Sequence, residues 1–252
     1  MIYFVGAGPG DPELITLKGH RLLQQAQLVV YTGSLINPEL LPAASPESRL
    51  VDSSSLELEE IVDLMQGYYQ EEKLVVRLHT GDASIYGAIG EQMRELENRD
   101  IPYRQVPGIS SFLAAAASLQ REYTVPGGSQ TLILTRMEGN TPVPEEEKLS
   151  FLAQHRASLA VFLSASLVEK VQEELLQGYP PHTPVAVVYK ASWPEEMVLE
   201  GNLERLAQLT REAGISKTAL ILVGDFLQTT GNSKLYYSNF SHSYREAKHE
   251  GE

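Results

Sequence analysis

The chain has 252 residues, of which 42% are hydrophobic and 21% charged, so it can form one large globular domain or two modest ones. Its formal net charge of −13 argues against broad electrostatic binding to nucleic acid, which needs a basic surface. The absence of cysteine excludes disulfides, thiolate zinc sites and cysteine nucleophiles. Because no secretory signal and no stretch of ~20 apolar residues is found, we expect a cytoplasmic protein without nucleic-acid or membrane partners.

The N-terminal half alternates short apolar runs with helical periodicity, which is typical of parallel β/α units. Helices are predicted at 16–26, 57–71, 85–98 and 110–119, with Thr16 as the N-cap of the first. Strands are predicted at 2–6, 28–31, 74–78 and 102–108.

A polar segment with Gly and Pro at 120–130 is predicted to be a linker between an N-terminal domain, 1–119, and a C-terminal domain, 131–235, with a tail at 236–252. Beyond the linker, helices are predicted at 166–177 and 203–213, and strands at 131–136, 159–164, 184–190, 196–203 and 219–224. The predicted fold class is α/β, with two domains whose sheets are mostly parallel. Ligands gather at domain interfaces and at the carboxyl ends of parallel strands, so we expect the ligand site in the cleft between the domains.

The first strand leads into a glycine loop that superficially resembles a nucleotide site. Its glycines, Gly6, Gly8 and Gly10, are spaced two apart, and Asp11 occupies the place of the third glycine of a dinucleotide loop. Pro9 and Pro12 lack the N–H donors that a phosphate would use. The loop therefore predicts either a tight turn alone or a ligand that needs close backbone approach without phosphate binding.

Two further loops follow predicted strands in the same half of the chain, at 79–87 and 106–111. In the first of them, Gly81 allows close backbone approach and Asp82 can accept hydrogen bonds, although Asp82 could equally cap the next helix. In the second of these loops, Ser110 and Ser111 could likewise either contact the ligand or cap the next helix. Because the carboxyl ends of parallel strands lie at one edge of a sheet, the three loops are predicted to share a site.

Several stretches of the chain resemble the tetrapyrrole methyltransferases, a class that binds S-adenosylmethionine between two α/β domains. In chain order these are "VGAGPGDPELITLKG", "TGDASIYG", "VPGISS", "LTRMEG" and "VVYKASWPEE". Longer strings, among them "YTGSLINPELL" and "SQTLILTRMEGNTPVPEEEKL", are similar to the precorrin-4 and cobalt-precorrin-4 C-11 methyltransferases of cobalamin synthesis. Ala83 departs from the pattern, since that class often has proline after the Gly-Asp pair.

The resemblance implies that a nucleophilic ring carbon of a tetrapyrrole attacks the sulfonium methyl group, that S-adenosyl-L-homocysteine leaves, and that the protein is a homodimer. We expect no metal site, because the six histidines show no ligand spacing. The cofactor-binding residues that it implies are Pro9, Thr80, Gly81, Asp82, Ile85, Ser110, Ser111, Met137, Ala191, Thr218 and Ala219.

The substrate implied by the resemblance carries several carboxylates, which basic side chains match. Candidates near strand ends and the linker are Arg104, Arg121, Arg136 and Lys190, each of which could instead be a surface charge. His79 is a candidate base beside the second loop, with a hydrogen-bonded structural histidine as the alternative. The sequence identifies no catalytic residue.

Three other functions stay open. A sister methyltransferase would act on an earlier tetrapyrrole such as uroporphyrinogen III. A nucleotide-dependent oxidoreductase would need a ribose-binding acid ~20 residues beyond the glycine loop, and residues 28–34 offer none. A non-enzymatic module would only bind the ligand. The sequence does not say whether a precorrin substrate contains cobalt.

Overall fold

The computed structural model describes residues 1–228 and 231–246, which form two compact units. The first comprises Met1–Ser118 together with Val188–Met197, and the second comprises Leu119–Val187 with the described residues from Val198 onward. The predicted domain boundaries stay predictions, and residues 229–230 and 247–252 of the predicted C-terminal domain and tail lie outside the described residues. No helix in the described part of the chain is both long and apolar enough to cross a bilayer.

The first unit contains a parallel five-stranded sheet in the order β3-β2-β4-β1-β5. Its strands are β1 (Ile2–Gly6), β2 (Leu28–Tyr31), β3 (Arg49–Asp52), β4 (Val75–His79) and β5 (Tyr103–Val106). The helices of this part of the chain are α1 (Leu17–Gln25), α2 (Leu58–Gln70), α3 (Ile89–Asn98) and α4 (Ser111–Leu119). The sequence did not predict β3, a short and largely exposed edge strand without an apolar run.

The helices largely follow the predicted apolar periodicity. Thr16 caps α1 as predicted, because its hydroxyl accepts a hydrogen bond from the Gly19 amide at 3.1 Å. The prediction that the third helix begins at residue 85 is wrong. Tyr86 and Ala88 have φ angles of 55° and 49°, so residues 80–88 form a loop and α3 begins only at Ile89.

The second sheet has the strand order β6-β7-β10-β8-β9 and is mixed. β6 and β7 are parallel as predicted, whereas β10 runs antiparallel to β7. The α/β fold class is confirmed. Both sheets were expected to be mostly parallel, and of the two only the first is entirely parallel. The strands are β6 (Leu132–Arg136), β7 (Ser158–Phe162), β8 (Pro184–Tyr189), β9 (Met197–Asn202) and β10 (Ala219–Val223), and the helices are α5 (Leu149–Ala153), α6 (Val168–Leu175) and α7 (Leu206–Glu212).

The central strand β4 places two basic side chains in the core of the first unit. Arg77 is 4% exposed and donates hydrogen bonds to Gln92 at 3.0 Å and to the Val30 carbonyl at 3.3 Å. His79 is 5% exposed, and its Nε2 atom has no hydrogen-bond partner among the described residues. Burial, and then the nearby Arg77 guanidinium, lower the pKa of His79 to about 3, so the imidazole is neutral in the folded protein.

This neutral histidine makes the stability of the first unit depend on pH. Between pH 6.5 and about 3 the unfolded chain accepts a proton on His79 that the folded chain refuses, so the free energy of unfolding falls as the pH falls. We expect a slope of up to about 1.4 kcal/mol per pH unit from this group. Urea denaturation at pH 4 to 7 should give a shallower dependence for His79→Gln than for the wild type.

The exposed His155 provides the matched control, because His155→Gln removes an imidazole that is already in water. That variant should keep the wild-type pH dependence. Parallel curves for the wild type and His79→Gln would contradict the assignment.

Candidate functional site

The loops that follow β1 and β4 are joined by paired backbone hydrogen bonds. The Gly8 amide donates to the Gly81 carbonyl at 3.2 Å, and the Gly81 amide donates to the Gly8 carbonyl at 2.8 Å. One residue earlier, the Ala7 amide donates to the His79 carbonyl at 2.7 Å. The first loop, residues 7–11, therefore continues the pairing of β1 with β4 beyond the ends of both strands.

The third loop, residues 107–110, packs against the other two through glycine backbone. A Cβ atom on Gly6 would lie 2.6 Å from the Cα of Gly108, and one on Gly108 would lie 2.2 Å from the Gly81 carbonyl oxygen. Such distances are far below van der Waals contact, so no side chain fits at either position. Within the first unit, the three loops that were predicted to share a site are in direct contact.

The Asp82 carboxylate fastens the second loop, residues 80–88, to the third. One oxygen accepts a hydrogen bond from the Gly108 amide at 2.7 Å, and the other accepts one from the Ser84 amide at 2.9 Å. Partial burial acts to raise the pKa of Asp82, but these hydrogen bonds outweigh it and hold the pKa below its ordinary value. Asp82 does not cap α3, since that helix begins seven residues later, at Ile89.

Three amides of the first loop have acceptors elsewhere in the first unit. The Ala7 amide donates to the last carbonyl of β4, the Gly8 amide donates to the second loop, and the Asp11 amide donates to the Ser192 hydroxyl at 3.0 Å, while Pro9 has no N–H. The Gly10 carbonyl accepts a hydrogen bond from the buried Asn37 side chain at 2.9 Å. These contacts leave the first loop few amide donors for a phosphate, which is consistent with the prediction that it binds none.

The other cofactor residues predicted in the first unit lie on or beside these loops. Thr80 is exposed, Ile85 is half-buried, Ser110 is buried and Ser111 is the first residue of α4. Ala191 is buried and belongs to the same unit through its second segment. Their binding roles stay predictions.

Three of the predicted cofactor residues lie in the second unit, at one edge of its sheet. Met137 follows β6, and its amide donates to the Ser164 hydroxyl, just beyond β7, at 2.8 Å. Thr218 and Ala219 stand at the start of β10, which is antiparallel to β7. β10 pairs with β7 so that Ile221 lies opposite Val161. Two residues earlier in β10, the antiparallel register puts Ala219 just beyond the C-terminal end of β7. Met137 lies at the same edge of the sheet.

The structure adds Leu163 to this edge. The residue follows β7 directly, is 69% exposed and has a φ angle of 54°. An exposed, bulky apolar residue with a left-handed φ angle is uncommon. Residues with such strained angles tend to occur at active and ligand sites. No feature of the sequence points to Leu163, because "LAVFLS" has the pattern of an ordinary apolar strand.

Two of the basic substrate candidates already have protein partners. Arg136 donates to the carbonyls of Thr141, at 3.1 Å, and Pro142, at 2.8 Å, and so closes the turn after β6. Lys190 forms an ion pair with Glu195 at 3.4 Å. A substrate carboxylate would have to compete with these contacts.

The other two basic candidates differ in their surroundings. Arg104 is exposed within the edge strand β5, two residues before that strand ends. Arg121 follows α4 and is half-buried, and its Nε atom is buried with no hydrogen-bond partner among the described residues. A role in substrate binding stays a prediction for all four basic residues.

His79 is poorly suited to act as a general base. A base that is effective near neutral pH needs a pKa close to 7, and the pKa of His79 is lowered to about 3 by burial and by Arg77. The structure therefore argues against a base role. His79 is a buried residue of β4, but the hydrogen-bonded state of the alternative is not seen at its Nε2 atom among the described residues. In the described part of the chain, no three His, Asp or Glu side chains come together as metal ligands.

Comparison with known sequences identifies close relatives over almost the full length. Residues 1–207 match the profile of the tetrapyrrole (corrin/porphyrin) methylases. A cobalt-precorrin-4 C(11)-methyltransferase of Methanocaldococcus jannaschii is 49% identical over 98% of this chain and 96% of the relative. A precorrin-4 C(11)-methyltransferase of Pseudomonas aeruginosa is 45% identical over 97% of this chain and 98% of the relative.

Solved structures agree with these relatives. A crystal structure of the cobalt precorrin-4 methyltransferase CbiF has a TM-score of 0.88 and 46% identity, and the match covers 90% of this chain and 96% of that one. The uroporphyrin-III C-methyl transferase of Thermus thermophilus, complexed with S-adenyl homocysteine, has a TM-score of 0.77 and 30% identity over 90% of this chain and 98% of that one. The chain therefore belongs to the family of tetrapyrrole (corrin/porphyrin) methylases.

Proposed function

We propose that the protein transfers a methyl group from S-adenosyl-L-methionine to C-11 of precorrin-4 or cobalt-precorrin-4, giving the corresponding precorrin-5 in cobalamin biosynthesis. The observation that carries this proposal is the 49% identity, over nearly both full lengths, to a relative that is named for this reaction. The 30–32% identity to uroporphyrinogen III methyltransferases is clearly lower and makes that reaction the second candidate.

The three glycine loops suit a methyl donor of this kind. When bound, S-adenosylmethionine supplies a methyl group on a positively charged sulfur. Gly6, Gly81 and Gly108 let the loops pack backbone against backbone, and the carboxylate of Asp82 provides negative charge close by. The amides of Ala7, Gly8 and Asp11 already have protein acceptors, so the first loop offers few donors to a phosphate.

Each unit contributes part of the proposed donor contacts. On the first unit these are Pro9, Thr80, Gly81, Asp82, Ile85, Ser110, Ser111 and Ala191, and on the second they are Met137, Thr218 and Ala219. Arg121 is the best of the four substrate candidates, because it alone combines a half-buried side chain with an unpartnered Nε atom in the described residues. The site between the domains, the homodimer and the cytoplasmic location stay predictions.

The proposal predicts methyl transfer to one tetrapyrrole intermediate in preference to others. We would incubate the purified protein with methyl-labelled S-adenosylmethionine and, separately, with precorrin-4, cobalt-precorrin-4 and uroporphyrinogen III, and follow products by mass spectrometry. One labelled methyl group should appear on a precorrin-4 substrate, together with S-adenosylhomocysteine. The ratio of the methylation rates with precorrin-4 and with cobalt-precorrin-4 would decide whether the substrate must contain cobalt.

Two outcomes would argue against the proposal. Methylation of uroporphyrinogen III with neither precorrin-4 substrate modified would identify a sister enzyme. Binding of S-adenosylhomocysteine without turnover of any of the three tetrapyrroles would identify a binding module.

The Asp82 carboxylate should stabilise the site by linking its second and third loops. Asp82→Asn keeps one acceptor oxygen and replaces the other with an NH2 donor, so one of the hydrogen bonds from the Gly108 and Ser84 amides is lost and the other is no longer charge-assisted. We expect about 1–3 kcal/mol less unfolding free energy at pH 7 and weaker binding of S-adenosylhomocysteine by calorimetry.

The pH dependence of this effect has a definite sign. Because the folded pKa of Asp82 is lowered, its stabilisation is complete above the ordinary pKa of 3.8 and is lost as the pH falls through the folded value, so the wild type and Asp82→Asn should converge in acid. The matched control is Asp63→Asn, since Asp63 is 61% exposed and pairs with Arg99 at the surface. Equal losses in the two variants would contradict the assigned role.

A further inference from the structure

A short segment of the first unit packs directly on the first glycine loop. This segment, residues 190–196, is called the strap here. Its Trp193 side chain is 9% exposed, and the indole N–H donates a hydrogen bond to the Pro9 carbonyl at 2.9 Å. A Cβ atom on Gly10 would lie 1.9 Å from the indole Cδ1, so the ring lies against bare Gly10 backbone.

Three further hydrogen bonds hold the strap, two of them to residues outside it. The Ser192 hydroxyl accepts the Asp11 amide at 3.0 Å, next to the contacts of Trp193. The Glu196 carboxylate accepts the Ser192 amide at 2.6 Å and the Ser118 hydroxyl at 2.7 Å. The strap is thus bonded at one end to the first loop and at the other to α4.

The strap holds its backbone in an unfavourable conformation around Ala191. Lys190 and Ser192, on either side of that residue, have φ angles of 47° and 68°. Non-glycine residues keep left-handed angles only where the surrounding contacts impose them. The position of Ala191 therefore depends on the contacts made by Ser192 and Trp193.

We propose that Trp193 is a positioning residue for the methyl donor, an inference that rests on the function proposed above. Its indole donates to the Pro9 carbonyl, and its backbone amide donates to the Lys190 carbonyl at 2.9 Å and so closes the turn that carries Ala191. Pro9 and Ala191 are both predicted donor contacts. The role is to hold these two residues, not to act on the reacting atoms. Trp193 therefore sets the affinity for the donor and leaves the rate of the bound complex unchanged.

Steady-state kinetics and calorimetry of Trp193→Phe test this role. The variant keeps an aromatic ring but removes the donor to the Pro9 carbonyl together with part of the indole volume. We expect an about tenfold rise in KM for S-adenosylmethionine and in Kd for S-adenosylhomocysteine, with kcat within about twofold of the wild type. Ser192→Ala, which removes the acceptor of the Asp11 amide, should change the same constants in the same direction.

Tyr103→Phe is the matched control, because it also deletes one hydrogen bond of an aromatic side chain in the first unit, the bond to Glu97. Its donor affinity should equal that of the wild type. If Trp193 had only a structural role, Trp193→Phe would lower the melting temperature, as Tyr103→Phe can. It would not raise KM while leaving kcat unchanged.

Fluorescence gives an independent readout, because Trp193 is the only tryptophan of the chain. Its emission should change on titration with S-adenosylhomocysteine and saturate with the calorimetric Kd. Without ligand, Gly10→Ala should shift the emission to longer wavelength, because the new methyl group displaces the indole towards water.

The outcomes separate this inference from the proposed function. If the wild type binds S-adenosylhomocysteine and methylates precorrin-4, but Trp193→Phe and Ser192→Ala keep wild-type KM and Kd, the positioning role is overturned and the function stands. If the wild type itself binds no S-adenosylhomocysteine, the proposed function fails first and this inference fails with it.

Discussion

Close packing of glycine backbone at the carboxyl ends of β1, β4 and β5 is the constraint on which the site depends. Gly6 and Gly108 approach within distances that no Cβ atom tolerates, and Gly8 and Gly81 exchange amide hydrogen bonds. Side chains at these positions would push the loops apart, whereas bare backbone lets three separate loops form one continuous surface. The Asp82 carboxylate then fixes two of them together by charge-assisted hydrogen bonds.

The packing of these loops is accompanied by local backbone strain. Left-handed angles at Tyr86 and Ala88 shape the second loop, and those at Lys190 and Ser192 shape the strap. Each such residue costs roughly 1–3 kcal/mol, which the buried core around the sheet must offset. Left-handed non-glycine residues also occur elsewhere in the described residues, for example at Glu72, Asp100 and Arg156, so these angles shape the loops but do not by themselves identify a ligand site.

Much of the first unit was predictable because its strands have clear apolar runs and its loops follow them at once. The rule that parallel strands end at one edge correctly predicted that the three glycine loops meet. The strap was beyond prediction, since its contact with Pro9 joins residues 184 positions apart and no periodicity encodes such a contact. For Asp82 the sequence left ligand binding and helix capping equally open, and its actual partner Gly108 was not predictable because it lies on a loop 26 residues away. In the second sheet, nothing in the residues of β10 distinguishes an antiparallel strand from a parallel one.

The central claim, that glycine-to-glycine packing builds the donor site, is tested most directly by calorimetric titration of Gly108→Ala with S-adenosylhomocysteine. The added methyl group would lie 2.2 Å from the Gly81 carbonyl oxygen, so the loops must separate. Gly67→Ala serves as the reference, because a Cβ atom there meets nothing within 4 Å. We predict that binding weakens about tenfold or more in folded Gly108→Ala and is unchanged in Gly67→Ala. Wild-type affinity in folded Gly108→Ala would contradict the account.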